Sequence, residues 1–176
     1  MDHFLEEIII KKNRGLNEVL YFGSLIMMVF FGLYALMMVQ VLLVAFDLFT
    51  LITVLLSAGC AVLFFFKRDQ LRTEYEYTFT NGEMDFAMVF NNQKRKNLGT
   101  MRVRNVEAFG PVSGNAFKRY VSMKDIKINN WFLNRGAELY YFYFQKEDKK
   151  RLIVIEPSME MVELIKKYLP YGAFQG

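Results

Sequence analysis

The sequence predicts an α+β membrane protein in which an N-terminal transmembrane helical hairpin is followed by an antiparallel β-barrel capped by a C-terminal α-helix. Three observations predict it. Val19 to Phe66 is apolar almost without interruption, Thr73 to Phe90 alternates with a period of two around Asn81-Gly82, and Pro157 to Leu169 returns to a helical period.

The hydrocarbon core of a bilayer is ~30 Å thick and a helix rises ~1.5 Å per residue, so one crossing takes ~20 residues. The apolar run covers 48 positions, enough for a pair of crossings and a turn. The first is expected from Leu20 to Leu42 and the second from Leu48 to Phe66, both without charge. Asp47 is the only Asp, Glu, Lys or Arg in the run. A carboxylate at mid-membrane costs at least ~2.5 kcal/mol, which places the turn at Ala45 to Asp47 on the far interface. Lys11, Lys12 and Arg14 precede the first helix, Lys67, Arg68 and Arg72 follow the second, and no Lys or Arg lies between them. By the positive-inside rule the chain is a multi-pass protein of the cell membrane with both termini cytoplasmic. A cleaved signal peptide fits poorly, because the apolar region starts late, runs long and lacks a small-residue cleavage pattern.

On the second helix Thr50, Thr53, Ser57, Cys60 and Ala61 mark a small or weakly polar stripe, and Ser24, Gly32 and Ala35 offer a matching surface on the first. Small residues let helices approach closely in lipid. The stripe is read as pairing within the chain, with a homo-oligomer face as the alternative.

Ahead of the hairpin, residues 1–17 read as an amphipathic interfacial helix. Phe4, Leu5, Ile8 and Ile9 recur at helical spacing, Asp2 can cap, and Glu6, Glu7, Lys11 and Lys12 take the other side. Packing on the soluble domain is the alternative. The chain then bends at Asn13-Arg14-Gly15, with Asn17 as the expected cap of the first crossing.

After the hairpin, residues 18–70, the pattern becomes that of strands. Tyr75, Tyr77 and Phe79 alternate with Glu74, Glu76 and Thr78, and Asn81-Gly82 supplies the positive φ angles of a type I′ turn into Glu83 to Phe90. Asn91 to Asn97 reads as a polar, basic turn, followed by a strand from Leu98 to Asn105 and another over Val106 to Val112. Gly110 to Asn115 is a loop lacking the lysine of a phosphate-binding loop. The span Ala116 to Lys124 is open between a short helix and a strand. Ile126 to Leu133, Glu138 to Gln145 and Arg151 to Ile155 read as strands, with turns at Asn134-Arg135-Gly136 and Glu147 to Lys150. Pro157 and Ser158 start the last helix, its early Glu160 and Glu163 and late Lys166 and Lys167 suit the macrodipole, and Pro170 ends it. Such strands closed by one C-terminal helix follow the order of a pleckstrin-homology (PH)-like barrel.

Charge and composition narrow the chemistry. Residues 1–66 carry three basic and five acidic side chains, and residues 67–176 carry 19 basic and 13 acidic, within a net charge of +4. Mild basicity beside an anionic leaflet favours apposition to the membrane, though ordinary surfaces share it. The single Cys60 and single His3 leave no intrachain disulfide, no zinc cluster and no workable catalytic triad. No enzyme, cofactor, metal or small-molecule substrate is expected, and the scattered basic residues argue against nucleic acid.

The segments Met1 to Ile8, Glu74-Tyr75-Glu76-Tyr77-Thr78-Phe79-Thr80-Asn81-Gly82-Glu83, Lys94-Arg95-Lys96 and Val106 to Val112 resemble those of an uncharacterised family of small bacterial membrane proteins with a two-helix anchor and a PH-like domain. The resemblance implies a cytoplasmic PH-like domain over residues 71–176 and no catalytic residues. Many PH domains bind phosphoinositides through a long basic loop between their first two strands. That position reads here as Asn81-Gly82, which removes the usual headgroup pocket. Two functions follow as expectations. The first is an interaction module at the inner face of the membrane whose partner is a protein, a peptide or a second copy, met by the aromatic strand Leu139 to Phe144 and by Trp131 and Phe132; coverage of these by the chain itself is the alternative. The second is sensing of anionic lipid headgroups by Lys94, Arg95 and Lys96 with Arg102 and Arg104, against a merely solvated turn. An accessory subunit of a membrane transport or enzyme complex is more remote.

Overall fold

A computed structural model describes residues 3–147 and 149–176. The chain forms two compact units. One holds the segments up to Lys12, Glu74–Val89 and Arg95–Gly176, and the other holds Asn13–Thr73 and Phe90–Lys94.

In the second unit α1 (Gly15–Val44) and α2 (Leu48–Arg68) are joined by the turn expected at Ala45 to Asp47. Asp47 caps α2, accepting from the Thr50 backbone N at 3.0 Å. Both helices are long and apolar enough to cross a membrane. Their seam holds the small residues the sequence marked. Ser24, Ala35 and Ser57 are buried, Thr50, Thr53, Cys60 and Ala61 are partly covered, and Phe31 stacks on Phe64 at 6.1 Å. The faces turned away stay apolar and exposed, as at Leu36 and Leu63. Asn17 is not the cap of α1. It lies inside the first turn, and its amide donates to the Leu71 carbonyl at 2.8 Å. Next to it Arg72 ties the foot of the hairpin together. Its guanidinium pairs in fork geometry with Glu18, donates to Asn91 Oδ1 at 3.3 Å and lies 3.7 Å over the Tyr21 ring. Asn91 in turn donates to Asp69 Oδ1 at 3.3 Å.

In the first unit Phe4–Ile9 is a strand, β1, rather than part of an amphipathic helix. Its residues alternate as well as they spiral: Leu5, Glu7 and Ile9 are partly covered while Phe4, Glu6 and Ile8 are exposed. A β-branched run at Ile8 to Ile10 favours the strand, and β2 (Thr73–Thr80) offers an open edge, which it pairs antiparallel from Phe4↔Thr80 to Ile9↔Tyr75. Asn134 fixes the end of this strand, donating to the Ile10 carbonyl at 2.9 Å and accepting from Lys12 N at 2.8 Å. The cap expected at Asp2 lies outside the described residues. β2, β3 (Glu83–Phe90) and β4 (Lys94–Arg102) follow in order, so β1-β2-β3-β4 form one sheet. Asn81 and Gly82 have φ of 48° and 89°, as the type I′ turn requires. The next turn is shorter than expected, so Lys94 to Lys96 already belong to β4.

The second sheet runs β5-β7-β8-β6, from β5 (Ala108–Pro111), β6 (Lys127–Trp131), β7 (Tyr140–Lys146) and β8 (Lys149–Ile155). It departs from the expected antiparallel barrel in having a parallel pair, β6 with β8. The two sheets do not close into a barrel. The outer strands β1 and β4 of one sheet pair with no strand of the other, because the chain breaks from β4 into a 3-10 turn at Val103–Asn105 before entering β5. Between β5 and β6 lies a short helix, α3 (Asn115–Val121), so the span Ala116 to Lys124 is helical at its start and not a strand. The last helix, α4 (Met159–Lys166), is capped by Ser158, which accepts from Met161 N at 3.1 Å and donates to Glu7 of β1.

The main core fills the space between the sheets with Tyr77, Phe79, Met84, Phe86, Phe142 and Ile155, and α4 adds Met161, Val162 and Ile165. A second core lies on the other face of the second sheet, where Tyr120 and Phe117 of α3 cover Tyr141 and Tyr143.

The Tyr77 and Tyr141 side chains are both fully covered, but their hydroxyls differ. Tyr77 Oη donates to the Trp131 carbonyl and accepts from Glu156 N at 3.3 Å, and burial drives its phenol far above the ordinary range. Tyr141 Oη has no hydrogen-bond partner among the described residues, and burial chiefly, with Tyr120 adding and Arg119 opposing, pushes its pKa up to about 12. Tyr77→Phe is therefore expected to destabilise the chain by ~1–2 kcal/mol, and Tyr141→Phe to leave it unchanged or stabilise it by up to ~1 kcal/mol, read from thermal unfolding in detergent. The folded state holds both protons more tightly than an unfolded tyrosine with its pKa of 10.0. This contribution is intact below that pH and is lost as the pH climbs towards about 12. Each Phe variant should flatten the alkaline limb of the stability profile. In the foot, a Glu18→Ala, Arg72→Ala double-mutant cycle should return a coupling of ~0.2–1 kcal/mol, the range for partly exposed pairs.

Candidate functional site

The five basic residues marked in the sequence do not form one cluster. β1 ends at Ile9 opposite Tyr75, so the chain leaves and re-enters the first sheet at the same end. The tight turns then bring the start of β4 to that end as well, with Arg95 and Lys96 exposed there. Arg102 and Arg104 lie at the opposite end, beside the Asn81-Gly82 turn. Lys96 and Arg102 are six positions apart along β4, about 20 Å at ~3.3 Å per residue. Lys94 is exposed and belongs to the other compact unit. Two of the five are already engaged: Arg95 Nη2 lies 2.8 Å from Glu76 Oε2, and Arg102 Nε lies 3.6 Å from Glu83 Oε1.

Arg102 and Arg104 share a recess of about 470 Å³ with Thr80, Asn81, Gly82, Glu83 and Tyr168. The Tyr168 ring lies so close over Gly82 that a Cβ there would stand 2.6 Å from Cδ1. His3 Nδ1 is 2.7 Å from Tyr168 Oη, and His3 N donates to Asn81 Oδ1 at 2.9 Å. The single histidine thus helps hold the N-terminal strand to the end of the sheet. The recess holds a salt-bridged arginine and an exposed one, a setting for an anion rather than for nucleophilic chemistry.

The aromatic strand is not a free surface. Tyr140 and Phe142 of β7 face the main core, Tyr141 and Tyr143 lie beneath α3, and Phe132 joins that second core. Trp131 packs on Phe86 at 4.9 Å. Both faces of β7 are used up by the chain itself, so the faces of this strand offer less to a partner than its edge does.

The position of the first connection also changes. With β1 as the first strand, the link to the second strand is not Asn81-Gly82 but residues 10–72, which contain both long helices. The first unit draws on stretches from both sides of residues 13–73, and a fragment starting after the hairpin lacks an edge strand.

A basic grouping that the sequence did not reveal appears only through strand register. The parallel pairing sets Lys127 beside Arg151, and the β7-β8 hairpin sets Lys146 beside Lys149. These residues are far apart in the sequence, and no local pattern joins Lys127 to Arg151.

A family model described as Bacterial PH-like domain (DUF6106) matches residues 1–175. No curated protein and no solved structure matches the chain.

The insertion is directly testable. Residues 1–12 joined to 73–176 by a short Gly/Ser linker should give a folded, water-soluble monomer by size exclusion and near-UV circular dichroism. Residues 73–176 alone should aggregate, because β2 then exposes an unpaired edge over Tyr75 to Thr80. A well-folded 73–176 fragment would remove β1 from the domain.

Proposed function

The chain belongs to this family of bacterial PH-like domains, and from that premise we propose that it is a membrane-anchored interaction module: α1 and α2 cross the bilayer as a hairpin, and the PH-like domain stands at the cytoplasmic face, where it engages a protein partner. The observation that carries this reading is topological. Where PH domains place the basic loop that takes a lipid headgroup, between the first two strands, this chain carries an apolar hairpin. Magnitudes favour the same view. A transmembrane helix inserts effectively irreversibly, whereas each basic residue near an anionic surface adds only ~1 kcal/mol. An anchored domain needs no headgroup pocket to stay at the membrane, which leaves its surface available for a partner. The flanking Lys11, Lys12, Arg14, Lys67, Arg68 and Arg72 support the cytoplasmic orientation.

Headgroup contact is a second reading, favoured by one observation. Lys12, Arg95 and Lys96 are exposed at the end of the first sheet where residues 10–72 attach. They suit a supplement to the anchor rather than a selective site.

Topology mapping tests the proposal. In a Cys60→Ser background, a Phe46→Cys variant in the interhelical turn should react with a membrane-impermeant maleimide on intact cells. A Glu147→Cys variant in the domain should react only after permeabilisation. Labelling of both on intact cells, or of Glu147→Cys alone, would overturn the arrangement.

A further inference from the structure

We infer that the open mouth between the two sheets is the docking groove of this module, and that its occupant is an extended acidic peptide segment of the partner, added as a strand. The inference rests on the reading of the chain as an interaction module and names the surface and partner chemistry that reading leaves open.

The groove holds about 390 Å³ and runs between Thr100–Arg102 of β4 and Phe144–Lys146 of β7. Both walls are strand edges without a neighbour. β4 is the last strand of its sheet, and β5 covers β7 only from Tyr140 to Tyr143. Beyond Tyr143, β7 is paired on its β8 side alone. Unpaired N–H and C=O groups along an edge are met by an extended chain, whose main chain gives affinity while alternate side chains give specificity. Both faces of β7 are covered by the chain itself, so its uncovered edge beyond Tyr143 is the part of this strand left open to a partner.

Charge selects the occupant. Phe144 and Lys146 point to one face of β7, and their cross-strand partners Arg151 and Lys149 share it. Arg151 has Lys127 as its neighbour on the far side. Four cations therefore crowd one face at one end of the sheet, in directly opposed pairs that repel. No ion pair among the described residues involves any of the four. Arg151 Nε is buried without a hydrogen-bond partner among the described residues. Among the described residues the acidic groups close by are Glu147 in the hairpin turn, Asp125 ahead of β6, and Glu83, which is taken by Arg102; in the sequence Asp148 follows Glu147. Of the four, Lys146 lines the groove, with Lys149 and Arg151 one strand behind it and Lys127 one strand further, at ~4.8 Å per strand. Carboxylates on alternate residues of an added strand would face Lys146 on one wall and Arg102 on the other, and would lower the repulsion between Lys146 and Lys149. A slot with main-chain edges fits a polypeptide better than a lipid surface or a nucleic acid, which bring no main-chain donors to pair.

The test uses the full chain in detergent and a fluorescein-labelled (Glu-Val)₄ octapeptide read by fluorescence anisotropy, with hydrogen exchange mapping the contact. The peptide should bind and slow exchange at 100–102 and 144–146. Lys146→Glu with Lys149→Glu should weaken binding at least tenfold, as should Arg102→Glu, with unchanged circular dichroism. A (Lys-Val)₄ peptide should not bind. N-methylation of alternate backbone nitrogens in the acidic peptide should abolish binding in one of its two registers. Equal binding of both N-methylated forms, equal competition by an oligothymidylate, protection elsewhere on the domain, or no binding would each overturn the groove. The anchor reading stands or falls separately, on the maleimide labelling of intact cells.

Discussion

The pairing of β1 with β2 is the interaction on which the rest of the structure depends. It is a hairpin whose connection is residues 10–72. Closing a loop of that length costs about 2–3 kcal/mol more than closing a tight turn, if the loop is flexible. This connection is not flexible. Two antiparallel helices return the chain to its starting point, the Asn17 amide fastens the foot of α1 to Leu71, and Glu18 pairs with Arg72. The excursion thus acts as a short link. Once formed, β1 is held by Asn134 at its end and by Glu7 against the cap of α4, so the first strand and the last helix stabilise one another across the length of the chain.

Local signals in the sequence were strong where one segment decided its own state. Val19 to Phe66, Asn81-Gly82 and the Ser158-capped helix were legible because length, turn chemistry and capping act within a few residues. The strand at Phe4 to Ile9 was not, because six residues satisfy a helical and an alternating pattern equally, and only the distant β2 edge decides between them. The same holds for β6. Its pattern reads as a strand, but its parallel partner is fixed by β7 having already taken the other side of β8. The candidate basic residues suffered the converse error. Adjacency in the sequence suggested one cluster, while strand length separates Arg95 and Lys96 from Arg102 and Arg104.

The aromatic excess of β7 shows how a surface suggested by composition can be internal. Phe142 serves the core between the sheets and Tyr141 the layer under α3, so a strand apolar on both faces is satisfied within one chain. A short helix inserted between two strands is enough to do this, because Tyr120 stacks on Tyr143 at 4.4 Å and Phe117 meets Tyr141 at 5.3 Å. With both its faces closed, β7 has its free edge left to offer.

Position along the domain then separates the roles of its charges. If the helices cross a bilayer as proposed, basic residues at the end where residues 10–72 attach would add ~1 kcal/mol each to an anchor that holds without them, so they would change little there. Lys146 stands instead in the groove that Glu83 and Arg102 also line, towards the Asn81-Gly82 end of the first sheet, with Lys149 and Arg151 on the next strand behind it. Repulsion built into paired strands is a cost that folding alone gives no reason to keep. An anion that reaches this end from elsewhere gives such a reason, and the unpaired edges of β4 and β7 make an extended chain the form in which it can bind.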